Sequence, residues 1–203
     1  ITGKYVEMSD VGTMNTYAGT SNLTDVIVAG RNFHAVRCAF RGGNAAEQVG
    51  NALAGIPVTI ITDAYASKWE QCEFGSAGNT TRTTGPGWIR FAAGAGGMHY
   101  FDKCIFAMRS ETTGDNVSGF TVEQSALDRL TIFNNSTFYN FSENWGDIPD
   151  HMFKIAQTST FDILLQGGCG MVGFDSLSNS ARVKSSDPLP HTNACLALAV
   201  AIT

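Results

Sequence analysis

Four stretches decide the fold: FHAVRCAFRG (33–42), WEQCEFGS (69–76), YFDKCIFAM (100–108) and IFNNSTFYNF (132–141). In each, a small residue stands two places before a Phe: Cys38 and Phe40, Cys72 and Phe74, Cys104 and Phe106, Ser136 and Phe138. Cys169 and Met171 supply a fifth copy, and the steps between the small residues are 34, 32, 32 and 33. Five copies held so close to one spacing mark an internal repeat. Stepping back 32 residues predicts an earlier copy at Val6 and Met8. Stepping forward reaches Cys195, Leu196 and Ala197 only with a shortened step of 26.

Other positions keep the same phase. Trp69, Phe101 and Phe133 each stand three places before the small residue, where the first copy has Ala35 and the last Gln166. Farther upstream lie the pairs Ile56/Val58, Phe120/Val122 and Phe153/Ile155, with Trp88–Phe91 in that place in the remaining copy. Met98/Tyr100, Leu130/Ile132 and Ile163/Leu165 form a third set. Each pair has a period of two, which predicts strands. Between the copies run loops rich in Gly, Asn, Thr and Ser at 41–55, 75–87, 107–119 and 139–151. Within the first of them, residues 44–54 have the Ala, Glu and Gln content of a short helix.

Tetratricopeptide and ankyrin units share this repeat length, but they carry apolar residues at helical spacing. Alternating pairs, β-branched and aromatic residues and Gly/Asn/Thr loops predict an all-β parallel solenoid instead. It would have five to six coils of 32–34 residues, each with three short strands and one long loop. Stacked coils set equivalent side chains about 4.8 Å apart. This accounts for a column of Cys38, Cys72, Cys104, Ser136 and Cys169 beside one of Phe40, Phe74, Phe106, Phe138 and Met171. The chain reads as one domain, 1–203: a partial first coil (1–20), a repeat core (21–175) and a terminal loop with an uncharged apolar strand (176–203) that caps the stack or forms an interface. In these motifs the sequence resembles the right-handed parallel β-helix proteins, over roughly residues 5–175. That fold hosts lyases, hydrolases, adhesins and viral spikes, so the resemblance implies architecture before function.

Composition narrows the chemistry. The chain has 203 residues with a formal net charge of −5. Only 15% of residues are charged, and 43% are hydrophobic. An acidic balance without clustered Lys or Arg argues against nucleic-acid binding, and no apolar run reaches membrane-spanning length. Five Cys is an odd number, and no C-x2-4-C pair occurs, so buried free thiols and assembly in a reducing compartment are expected. His34, His99, His151 and His191 are dispersed, and no metal or cofactor is expected. Asn-x-Ser/Thr sequons read as coil-corner residues.

The most chemical stretch is the loop from Glu143 to His151, with Trp145, Asp147, Asp150 and His151 as candidate glycan ligands. Paired carboxylates suit glycoside hydrolysis, and Trp145, Trp88, Tyr100 or Tyr139 could stack on a sugar ring. Glu111 or Asp115 on the neighbouring loop would supply a further carboxylate. Pectate-type lyases of this fold use basic residues beside Ca²⁺-binding carboxylates, whereas Arg90, Arg129 and Lys154 stand isolated along this sequence. No catalytic residue is therefore expected.

The resemblance, with the low charge and uncharged terminal strand, leads to the expectation of a non-enzymatic virion protein. A tailed-bacteriophage capsid decoration, head-fibre or spike-type subunit would assemble in the host cytoplasm as a homotrimer, in contact with other virion proteins such as the major capsid protein. An N-terminus at Ile1 would fit a processed or partial subunit. The alternatives are a glycan-binding or glycan-cleaving β-helix and a bacterial surface adhesin fragment.

Overall fold

The computed structural model describes residues 1–13, 24, 26–42, 55–61, 63–76, 81–112, 114–142, 147–156, 158, 160–186 and 196–197. Among these the chain is all-β: three sheets of seven, eight and seven strands, every pairing parallel, stacked in coils. Sheet I takes Thr2–Gly3, Val26–Gly30, Val58–Ile60, Gly85–Phe91, Gly114–Val122, Pro149–Ile155 and Ser176–Ser178. Sheet II takes Val6–Ser9, Phe33–Val36, Lys68–Glu70, His99–Asp102, Leu130–Asn134, Asp162–Gln166 and Val183–Ser185. Sheet III takes Gly12–Thr13, Ala39–Phe40, Glu73–Phe74, Ile105–Ser110, Thr137–Ser142 and Gly170–Val172, with Thr81–Arg82 and Leu196–Ala197 alongside. The chain visits the sheets in the order I, II, III. The four triplets from Val58 to Val172 form the central body of the solenoid.

Each sheet turns one column of side chains inward. Phe40, Phe74, Phe106, Phe138 and Met171 are in register on sheet III and fully buried. Their rings stack coil on coil, Phe74–Phe106 at 4.6 Å and Phe106–Phe138 at 4.9 Å between centroids. On sheet II the inward column is Ala35, Trp69, Phe101, Phe133 and Leu165. Each stacked aromatic pair adds about 0.5–1.5 kcal/mol beyond its burial.

Register corrects four details of the sequence reading. The buried pairs of sheet I are Val26/Val28, Val58/Ile60, Ile89/Phe91, Phe120/Val122 and Phe153/Ile155, so Ile56 lies ahead of its strand. On sheet II the inward pairs are His99/Phe101, Thr131/Phe133 and Ile163/Leu165, while Met98 and Leu130 are exposed. Val6 and Met8 pair with Phe33 and Ala35 on sheet II, and Gly12 and Thr13 pair with Ala39 and Phe40. The counterpart of Cys38 in the first coil is therefore Val11. That coil is shorter than the rest, and a fixed step of 32 overshoots it. In the last coil Gly167 and Gly168 take the place of a single corner residue, which moves the core position from Gln166 to Leu165.

The corner between sheets II and III explains the Cys column. One residue per coil, Asp10, Arg37, Gln71, Lys103 or Asn135, turns the chain in the left-handed conformation at φ between 48° and 56°. Its N–H reaches the next coil, as from Gln71 to the Asp102 carbonyl at 2.9 Å and from Lys103 to Asn134 at 2.9 Å. The following residue still receives a ladder bond on its carbonyl, Ile105 N–H to Cys72 and Thr137 N–H to Cys104. Its own N–H instead finds a side chain on the next coil. Cys104 N–H donates to Ser136 Oγ at 3.1 Å, and Ser136 N–H donates to Cys169 Sγ at 3.5 Å. The Cys38, Cys72 and Cys104 thiols likewise take backbone hydrogen bonds from Val11, Cys38 and Cys72. Three of the thiols also donate back, Cys72 Sγ to the Ala35 carbonyl at 3.5 Å, Cys104 Sγ to Trp69 at 3.4 Å and Cys169 Sγ to Phe133 at 3.5 Å. The column thus requires a small side chain that both accepts and donates, a demand that Cys and Ser meet and Ala does not. The four described cysteines are free and buried, and burial pushes the Cys104 thiol well above its ordinary value.

Candidate functional site

The outer face of sheet I carries a polar grouping around a defined concavity. Because Ile89/Phe91, Phe120/Val122 and Phe153/Ile155 point inward, the residues between them point out. Arg90, Thr121 and Lys154 are therefore consecutive rungs of one outer column. Beside it lies a groove of about 310 Å³, lined by Thr84, Pro86, Arg90, Asn116, Thr121 and Lys154 among others. Arg82, fully buried, helps hold one lip by donating from Nη2 to the Thr84 carbonyl at 2.6 Å. Burial pulls its guanidinium down to about 9.

The groove's charges are paired. Arg90 Nε donates to Glu123 Oε1 at 2.6 Å. Lys154 Nζ bonds the Asp115 carbonyl and lies 3.7 Å from the Asp115 carboxylate. His151 Nε2 stands 3.8 Å from the same carboxylate. Ser176 Oγ donates to the Asp150 carbonyl at 2.7 Å, so at 2.5 Å the His151 Nδ1–H is the donor to Ser176. Hydroxyl, amide and neutralised charged groups of this kind suit a polar, hydroxylated ligand better than a bare ion.

The candidate residues from the Glu143–His151 loop do not converge. His151 reaches the end of the groove through Asp115. Asp147 lies on the far side of the coil corner, where its carbonyl accepts a hydrogen bond from Ser110 Oγ. Asp150 enters the network through its carbonyl. Trp145 falls outside the described residues, as do Glu143, the 44–54 segment and Cys195. Trp88 is no sugar platform, since it is sealed in the core against Phe106 and Phe120. Tyr100 and Tyr139 lie on sheets II and III, away from the groove. Conversely, Arg90 and Lys154 are isolated only along the chain. Their steps to and from Thr121, 31 and 33 residues, are the repeat itself. A polar residue recurring between two core positions was the signal that could have found them.

One pair inside the solenoid has the look of a nucleophile and base. Trp69 Nε1 donates to Ser67 Oγ at 2.8 Å, and Ser67 Oγ meets His99 Nδ1 at 2.7 Å. Ser67 thus links the Trp69 indole to the His99 ring. Both residues are buried, and no carboxylate orients the ring. Burial pulls His99 down to about 4, so it is a neutral structural link between coils. No group of three His, Cys, Asp or Glu among the described residues is placed to hold a metal ion. No family model, curated protein or solved structure matches the chain.

Proposed function

We propose that this protein is a rigid, non-enzymatic building block of a larger particle. A tailed-bacteriophage virion is the setting, and a homotrimer touching the major capsid protein is the working state. The observation that carries this reading is the interior: aromatic stacks run through the coils, and the Ser67–His99 pair among them is sealed from solvent. Such a body resists bending and proteolysis because opening any coil exposes stacked rings and unpaired backbone groups. Native mass spectrometry and light scattering test it. A trimer, or capture by capsid shells, is expected; a stable monomer with no affinity for them overturns it.

The groove on sheet I favours a second reading, saccharide binding. A glycan array with a reducing-end assay separates the two. Binding without release of reducing ends, lost in Thr121→Ala combined with Asn116→Ala, would support a binding module.

A further inference from the structure

The chain has eight arginines. Arg37, Arg41, Arg90, Arg109 and Arg182 each face a carboxylate, and Arg82 is buried. Arg31 and Arg129 make no ion pair among the described residues, and both line one cavity of about 310 Å³ with Tyr65 and Met98. The cavity opens at the outer corner between sheets I and II, where four successive coils each contribute one of these residues.

Its walls are fixed. The Arg31 guanidinium lies over the Tyr65 ring, 5.4 Å from the centroid. Tyr65 Oη donates to Asp128 Oδ2 at 3.2 Å. The ring rests against Gly96, where an added Cβ would come within 2.9 Å of Cε1. Gly97 lies against Asp128 and Arg129, and a Cβ there would meet Arg129 Cβ at 2.4 Å. Two adjacent glycines thus let the Tyr65 ring and the Arg129 stem pack directly against the backbone. Met98 has φ +63° and is 55% exposed, with Sδ 3.8 Å from Arg129 Nη1. The same column holds Asn32 and Ala66 at φ 56° and 57°, residues small or polar enough to bear that conformation. A large thioether held there in the open is an outlier that points outward.

We propose that this corner binds a small organic acid: a carboxylate, sulfate or phosphate ester borne on a compact body of monosaccharide size. The unpaired guanidiniums offer planar donor forks that match such an oxyanion. Met98 gives a soft, adaptable apolar wall for the body that carries it. The proposal stands apart from the assembly reading and from the sheet I groove.

Titration calorimetry with the whole protein tests it, using glucuronate, glucose 6-sulfate, glucose 6-phosphate and glucose at matched ionic strength. Saturable binding in the range of about 1 mM is expected for the acids and none for glucose. The order among the three acids identifies the preferred oxyanion. Arg31→Gln and Arg129→Gln are each expected to weaken binding about tenfold. Met98→Ala should weaken it less, and Arg182→Gln, which lies outside both concavities, should leave it unchanged. Both arginines are exposed, and an unchanged melting temperature confirms that the variants fold. No saturable binding to 50 mM, equal affinity for glucose, or binding retained by the double Arg variant would overturn the site.

Discussion

The two tight corners of each coil are built on opposite principles. Between sheets II and III a left-handed residue is followed by a Cys or Ser whose side chain faces inward and closes a hydrogen bond to the adjacent coil. Between sheets I and II the turning residues vary, among them Asp63, Ala66, Gly94, Met98 and Ser125, and several side chains project into solvent. The first corner must satisfy the same orphan N–H in every coil, so its chemistry repeats. The second satisfies its backbone through main-chain bonds, such as Asp63 N–H to Gly94 and Gly94 N–H to Ser125, and its side chains are free to differ. Repetition marks the corner that holds the stack together; variation marks the one that can carry a ligand.

Four measurements would break or sharpen that contrast. The largest effect concerns His99, just inside the variable corner. Its folded value of about 4 lies below its ordinary 6.5, so the unfolded chain takes up a proton first as the pH falls. The stability due to neutral burial is fully present above pH 6.5 and is lost progressively toward pH 4, by about 3 kcal/mol. Denaturant midpoints across that window should fall for the native protein and stay flatter in His99→Phe; parallel curves would remove His99 from the account. Next, Gly96→Ala should cost about 1–2 kcal/mol, because Gly96 has φ +81° and the new methyl meets Tyr65. A neutral result would mean that the corner yields. Third, Cys104→Ala should cost about 1–2 kcal/mol by leaving the Cys72 N–H buried without an acceptor, whereas Cys104→Ser should stay within about 0.5 kcal/mol. Equal losses would show that only volume matters there. The smallest effect is Met98→Gly, expected to raise the melting temperature slightly, through a gain of up to about 1 kcal/mol from a relaxed left-handed backbone. A clear loss would make Met98 part of the scaffold and erase the distinction between the corners.

The fold was legible because two interior columns admit few residue types. A ring must follow a ring in the Phe column, and a small donor–acceptor must follow its like in the Cys column. Ser136 could therefore be recognised as a member although it is not Cys. Phase was lost where coil length changes, at Val11 and at Gly167–Gly168, since a fixed period cannot register a shortened or lengthened corner. On sheet I the reading slipped because Ile56, Val58 and Ile60 alternate without a break, and either pair fits a period of two. The polar groupings were harder to see. Arg90, Thr121 and Lys154 lie in phase, but no apolar constraint forces outer residues to resemble one another. Arg31, Tyr65, Met98 and Arg129 also follow the repeat, at steps of 34, 33 and 31, but Tyr and Met stand between the two Arg, so no recurring residue type marks the column.

The side chains of the Cys column all reach in one sense, each coil closing the corner of the one before it. A coil therefore ends as it begins, with the same two unmet needs handed to its successor. Length then becomes an adjustable quantity. Removing residues 104–135 would join Lys103 to Ser136 and leave Cys72 facing Ser136, a hydroxyl that already serves Cys104 in this way. A molecular strut made on this plan can be shortened or extended by whole coils of about 32 residues with every remaining junction unchanged.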